Sequence, residues 1–250
     1  MQELKSNIEW KQWGKDDPLW GVSSWVGKQK DAASPWTEEE FYALGESDWR
    51  DFLGHWRQYG VSTQNCLEIG CGAGRITKQL ALSFDHVDAV DVSEDMIDRA
   101  QKAVQSGNCG FSVIDGLHLP QRDGSVKAIF STHVLQHLDS EEIGFFYFRE
   151  FYRVLDLGGT IMVHLPLYQF PHDAGIFGSL MTSQYAVSQF LSNLRADIKR
   201  RLGMKIMRGT RYSIKPLARF ISNVGFEKVE FRIFPLQCNG DYHPFVFATK

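Results

Sequence analysis

The chain has 250 residues, of which 43% are hydrophobic, and a formal net charge of −3. That length and apolar share suit one α/β domain with additions, and a slightly acidic chain is not a general polyanion binder, which argues against nucleic acid as a partner. No run of about 18 apolar residues is present, so no membrane span is expected.

The N-terminus, MQELKSNIEWKQW, lacks the apolar core and small-residue cleavage site of a secretory signal. The four cysteines, Cys66, Cys71, Cys109 and Cys238, are scattered and form no CxxC. The expectation is a cytoplasmic enzyme with free thiols. Sequence alone says nothing of its oligomeric state.

Residues 1–60 carry all seven tryptophans: Trp10, Trp13, Trp20, Trp25, Trp36, Trp49 and Trp56. With the helical spacing of Thr37 to Tyr59, this zone reads as an aromatic N-terminal lid, because indoles both close apolar pockets and bury well against a domain body. Residues 61–165 read as the core. Asn65 to Ile69 is a short apolar run stopping at glycine, hence a buried strand. Ile76 to Phe84 has helical spacing, and His86 to Val92 is the next strand. Ser93 can cap a helix with Glu94 and Asp95 in its first turn. Further strands are expected at Gly110 to Asp115, Val126 to Thr132 and Thr160 to Leu165. A long helix from Ser140 to Leu155 is expected to start at Asp139-Ser140-Glu141-Glu142 and to end at Gly158-Gly159.

Strands alternating with helices imply right-handed crossovers and a mostly parallel, doubly wound sheet. Residues 166–213 read as a helical substrate-cap insert, apolar at its start and basic later. From Arg195 to Arg219 nine basic residues face Asp197 alone, which suits either an electropositive mouth for an anionic acceptor or a solvated helix face. Residues 214–250 supply a helix and two strands that complete the core.

The chemistry-bearing motifs fall at strand ends, where open α/β sheets bind ligands. Leu67-Glu68-Ile69-Gly70-Cys71-Gly72-Ala73-Gly74-Arg75 joins the first strand to a helix. Gly70 allows a tight turn, Gly72 lets a ligand approach the backbone, and Gly74 permits close packing. The usual dinucleotide pattern, G-x-G-x-x-G, is not met, because the third glycine comes one residue early and Arg75 stands in its place. Asp91 ends the second strand, about 20 residues past the glycines, where an acid hydrogen-bonds vicinal ribose hydroxyls.

This E-x-G-x-G-x-G loop, with Asp91, Asp115 and Thr132 at successive strand ends, resembles class I, Rossmann-like S-adenosylmethionine-dependent methyltransferases over residues 65–165. The resemblance implies a seven-stranded sheet whose last strand is antiparallel and inserted before its predecessor. It also implies S-adenosyl-L-methionine as cofactor, held by Glu68, Gly70, Cys71, Gly72, Gly74 and Asp91. Val92 and Met96 would lie on the adenine faces, Asp115 with Gly116 would take its amino edge, and Thr132 would lie beneath the methionine moiety. Gly74 to Lys78 and Val90 to Asp95 also resemble enzymes that methylate protein α-amino groups, but His164-Leu165-Pro166 stands where their Asn-type residue would be.

Methyl transfer to a hydroxyl needs a proton acceptor near neutral pKa, which favours histidine. The candidates are His137, His164 and His133, with His172 further off. No cluster of acids suggests a Mg²⁺ site, and no metal is expected. The leading expectation is methylation of a small-molecule acceptor, oxygen slightly ahead of nitrogen. The alternatives are a macromolecular acceptor (a protein N-terminus or RNA) reached through the basic insert, and a protein that binds adenosylmethionine without turnover. A nicotinamide oxidoreductase is disfavoured by the misplaced third glycine.

Overall fold

Short apolar runs that stop at glycine or an acid build the parallel strands of one large sheet. A computed structural model describes residues 3–168 and 207–250, with positions 191, 194, 195, 198 and 199. Most of the insert expected over 166–213, including His172, Arg200 and Arg201, lies outside the described residues.

Three helices come first: α1 (Lys5–Asp16), α2 (Pro18–Val22) and α3 (Glu38–Tyr59). The core then alternates β1 (Asn65–Ile69), α4 (Thr77–Ser83), β2 (His86–Asp91), α5 (Glu94–Ala103), β3 (Cys109–Val113), β4 (Val126–Ser131), α6 (Glu141–Val154) and β5 (Leu155–His164). After two-residue strands β6 (Leu167–Tyr168) and β7 (Tyr212–Ser213) come α7 (Ile214–Val224), β8 (Glu227–Pro235) and β9 (Tyr242–Thr249). The seven-stranded sheet has the order β3-β2-β1-β4-β5-β9-β8. Its first five strands are parallel, and β9 is antiparallel to both β5 and β8. This is the topology that the sequence reading expected.

The period-2 alternation of strands sorts the core into two faces. Leu67, Ile69, Ile129, Ile161, Val163, Val246 and Ala248 face α6 and α7, where Phe148, Phe151, Leu217 and Ile221 cover them. Cys66, Ala128, Phe130, Met162, Phe245 and Phe247 face the other way, onto Trp49, Phe52 and Trp56 of α3 and Leu80 of α4. Trp49 and Trp56 are thus core residues, and Trp56 Nε1 also donates to Thr160 Oγ1 at 3.1 Å.

α3 starts with a capping box, in which Thr37 and Glu40 exchange hydrogen bonds with each other's backbone, and stops at Gly60 in the left-handed region. Ser93 caps α5 as expected, accepting from Met96 N–H. α6 starts at Glu141 behind Ser140, as expected, although the Ser140 side chain makes no cap bond. One local expectation fails: Gly158-Gly159 does not end α6, because the helix stops at Val154 and β5 begins at once. The pairing of β5 with β4 instead shifts register between Val126 and Ala128, and Gly158, at φ 74°, carries the irregularity. β6 and β7, too short for a periodic signal, were not expected.

Gly45 brings α3 against the loop after β1. A Cβ there would sit 2.5 Å from the Arg75 carbonyl oxygen and 2.7 Å from Arg75 Cγ. Backbone cannot yield as a side-chain tip can. Gly45→Ala is therefore expected to destabilise the protein by about 1–3 kcal/mol despite alanine's better helix propensity. Chemical denaturation checks this; an unchanged or raised midpoint would mean that α3 is not held this closely.

Candidate cofactor and acceptor site

A cavity of about 280 Å³ opens at the carboxyl ends of the parallel strands. Its wall includes Glu68, Gly70, Cys71 and Gly72 of the first loop, Asp91 and Val92, Ile114, and Thr132 to Val134. Gln136 to Leu138, Leu236, Cys238, Asp241 and His243 form the far side. Residues of the N-terminal zone close it: Ser6, Asn7 and Trp10 of α1, and Gly21 to Trp25 after it.

The glycine loop is shaped by backbone that L-residues rarely adopt. Gly72 has φ 51° and Gly74 φ 81°. A Cβ on Gly74 would meet Ala100 and Val104 at 3.1 Å, so this glycine lets α5 approach the loop. Gly72 N–H donates to Asp91 Oδ2 at 2.9 Å, and Ser93 N–H donates to Oδ1 at 2.9 Å. Burial raises the Asp91 pKa, and these backbone donors offset part of the rise. The result is a carboxylate fixed at the cavity wall between two loops.

Glu68, at 2% exposure, is the sharper case. Burial pushes its pKa up to about 7, although Thr77 Oγ1 donates to it at 2.5 Å and Arg75 lies nearby. Thr132 Oγ1 is buried with no hydrogen-bond partner. The site therefore presents two acids, an unused hydroxyl and glycine backbone at Gly70 and Gly72: partners for a ligand carrying hydroxyls and a cation.

Two expected contacts are placed elsewhere. The Asp115 carboxylate accepts from Leu117 N–H, His118 N–H and the His118 ring, each at 2.8 Å, and is half exposed. It organises its own turn, while its backbone carbonyl accepts from Asn7 Nδ2 at 2.7 Å. Gly116 likewise lies against Asn7. Met96 is buried with Phe41 and Ala73 and does not line the cavity.

The histidines divide. His137 has both ring nitrogens engaged: Nδ1 donates to the Arg208 carbonyl at 2.7 Å, and Nε2 accepts from Gln136 at 2.9 Å. Its ring lies edge-on to Trp10 at 5.1 Å, and burial lowers its pKa to about 4. His133 and His164 lie with centroids 4.4 Å apart and meet a third histidine, His243. Burial drops the His133 pKa to about 3 and the His164 pKa well below the ordinary value. His133 lines the cavity; His164 lies behind it.

α1 is pinned from a distance. Asp139 accepts from Lys5 N–H at 2.9 Å and Ser6 N–H at 2.7 Å, capping the helix. Glu9 is bound two-pronged by Arg208, both side chains 5% exposed. Of the nine cations in the basic stretch, this one is buried in an ion pair.

A family model described as a methyltransferase domain matches residues 66–159. Over these residues, less than half of its length, the chain is similar to that family. Ajmaline N-methyltransferase of Rauvolfia serpentina is 30% identical over 105 residues, covering 40% of this chain and 35% of that protein. An O-methyltransferase of Aspergillus nomiae is 31% identical over 88 residues, 33% of this chain and 39% of that protein. The matches thus span little more than a third of the length of these curated relatives. In fold, the chain is similar to magnesium protoporphyrin IX methyltransferase of Synechocystis PCC 6803, solved with bound SAH: TM-score 0.61 at 15% identity, covering 98% of this chain and 100% of that one.

Within residues 66–159, Glu68, Gly70, Cys71, Gly72, Asp91, Val92 and Thr132 are brought to one wall. Trp10 lines the cavity, as expected of the aromatic lid, whereas Asn7, Asp48 and His243 were not anticipated. The first two of these come from the N-terminal zone, whose docking no local pattern encodes. His243 had a readable signal, because an antiparallel strand begins at the edge where its parallel neighbours end. Among the described residues no helix is long and apolar enough to cross a membrane.

Glu68 makes stability depend on pH. An acid whose folded pKa is raised stays protonated in the native state after the unfolded chain has ionised. Its unfavourable contribution therefore grows between about pH 4.5 and 7 and is full above that, on the order of 3 kcal/mol. Glu68→Gln is expected to raise the melting temperature of the ligand-free protein at pH 8 and to lose that advantage towards pH 5. A pH-independent difference would show that Glu68 is not held protonated.

Proposed function

We propose that the chain transfers a methyl group from S-adenosylmethionine to a small-molecule acceptor, with oxygen favoured over nitrogen. The observation that carries this reading is the convergence of the E-x-G-x-G-x-G loop, Asp91 and Thr132 on a cavity that N-terminal aromatics close. Adenosylmethionine, when bound, supplies a methyl group activated on sulfur: the acceptor lone pair forms the new bond as the S–CH3 electron pair returns to sulfur.

The residues present fit such a cofactor. Asp91 can exchange its Gly72 partner for ribose hydroxyls, which donate to a carboxylate as the amide does. Glu68, costly to ionise alone, would ionise readily beside an ammonium group. Thr132 Oγ1 would gain a partner. Val92 and Ile114 offer apolar flanks for a purine. Asn7, rather than the turned-away Asp115, is the side-chain amide nearest the third strand end.

A small acceptor fits a cavity covered by α1 and by Gly21 to Trp25, which serve as the lid. The curated relatives that match include both an N- and an O-methyltransferase, so the preference for oxygen rests on the histidines. A nitrogen acceptor with a free lone pair needs no proton removed, whereas a hydroxyl does. His133 is the histidine placed to serve the acceptor, because His137 is committed to structural bonds and His164 lies behind. The free thiols are consistent with a reducing, cytoplasmic setting.

Calorimetric titration with S-adenosylhomocysteine, with NADH as control, tests the donor half. Binding of the former alone is expected, and Asp91→Ala should weaken it by about 10- to 100-fold. No binding, or an unchanged affinity in the variant, would sink the reading. In a screen of phenols and carboxylates with methyl-labelled cofactor, His133→Ala should then lower kcat while leaving cofactor affinity in place. Full turnover in that variant would leave positioning as the whole of the catalysis.

A further inference from the structure

We propose that His133, His164 and His243 bind one divalent transition-metal ion of the zinc class, open on the acceptor side of the cavity. Binding of the ion goes beyond the methyl-transfer reading and is independent of it; only the use made of the ion rests on that reading.

The three rings come from elements far apart in the chain: the turn after β4, the last residue of β5 and the second residue of β9. Each offers a nitrogen such that all three lie within 4.8 Å of one another. His243 Nδ1 and His164 Nε2 are 3.4 Å apart. A tetrahedral zinc ion with bonds of about 2.05 Å separates its ligand nitrogens by about 3.4 Å, so this pair stands at ligand spacing, and the third, within 4.8 Å, needs to close by at most about 1.4 Å. His133 holds the left-handed φ of 58°, uncommon for a residue with a side chain.

Hydrogen-bond accounting points the same way. His164 Nδ1 and His243 Nε2 are buried and have no partner. A histidine kept for structure looks like His137, one residue cluster away, with both nitrogens satisfied. His164 Nε2 and His243 Nδ1 share one long mutual hydrogen bond that an ion between them would replace, and the two unpartnered nitrogens are the opposite ones on each ring. The charged groups around the cluster suit a cation. Asp48 and Asp241 favour positive charge at His243 and Arg75 opposes it, but Arg75 is itself held in an ion pair with Asp48.

Three neutral imidazoles are the donor set of an open zinc site, in which a fourth position takes water or substrate. His133 and His243 line the cavity and His164 closes the rear, so the fourth position faces the space left for the acceptor. An acceptor oxygen or sulfur bound there would ionise at lower pH. That gives His133 its part in serving the acceptor as a ligand to the ion, which would take over activation of the acceptor from a free imidazole.

The test uses the full-length, tag-free protein, stripped with chelator and titrated with zinc by calorimetry, then loaded with cobalt(II) for visible spectroscopy. The expected result is one zinc per chain, with cobalt d–d bands and no thiolate charge-transfer band, which excludes the four cysteines as ligands. His243→Gln and, separately, His133→Gln should each weaken binding by at least about 10-fold, with circular dichroism and S-adenosylhomocysteine affinity kept. Absence of stoichiometric zinc in the wild-type protein, a thiolate band, or undiminished affinity in both variants would overturn the proposal. Zinc binding without S-adenosylhomocysteine binding would uphold the metal site and remove the methyl-donor reading; the reverse would do the opposite.

Discussion

Burial of both faces of the central strands is the constraint on which the rest depends. β1, β4 and β5 are sealed by α6 and α7 on one side and by α3 and α4 on the other. A polar group within these strands would be stranded, so chemistry can emerge only where the backbone leaves the sheet. Glu68, Asp91, Thr132 and His164 all stand at or beside such exits. Because the parallel strands point one way, the exits share an edge. β9, running the other way, contributes the beginning of its strand, and His243 with it, to the same edge.

That edge concentrates charge that the fold alone does not need. Glu68 is pushed up to about 7 by burial, and Asp91 is raised against the pull of two backbone donors. Arg75 is paired with Asp48, and Arg208 with Glu9, all nearly inaccessible. Buried ion pairs contribute little net stability, because desolvation consumes most of the attraction. Their value here is positional. Arg75–Asp48 fixes the end of the glycine loop against α3, and Arg208–Glu9 fixes α1 over the cavity. Glu68 and Asp91, on the wall formed by the first two strand ends, are held by hydroxyl and backbone donors and not by an ion pair.

The cover is an assembly of segments distant in sequence. α1 is capped by Asp139 and gripped by Arg208, while Thr210 N–H donates to the Gln136 carbonyl at 2.6 Å and Tyr212 Oη donates to the Leu135 carbonyl at 2.9 Å. The turn at 135–139 is thus the common anchor for the N-terminal zone and for the strand returning from the insert. Trp10, resting on His137, brings the cavity roof to the same anchor. Movement of α1 would have to break a buried ion pair and a helix cap together, which couples opening of the cavity to the state of this one turn.

The sequence by itself determined the strands, their mostly parallel arrangement and the residues at their carboxyl ends, because these rest on local signals: apolar runs of strand length, alternation of strands with helices, glycines where φ is positive, and acids at fixed distances past them; the place of the last strand came from the family resemblance. It located Glu68, Gly72, Asp91 and Thr132 for that reason. Only the tertiary structure decided what the side chains do once placed. Asp115 turned to its own loop because two backbone N–H groups and His118 lay within reach. Met96 went beneath α1 because the N-terminal zone docks there. His137 became a strut because Arg208, 71 residues on, presents its carbonyl. The histidine cluster was half legible: His133 and His164 stood at strand ends, but His243 joins them only through the antiparallel pairing of β9 with β5. Contacts between residues separated by more than a hundred positions are fixed by the packing of whole elements, and no window of sequence contains them.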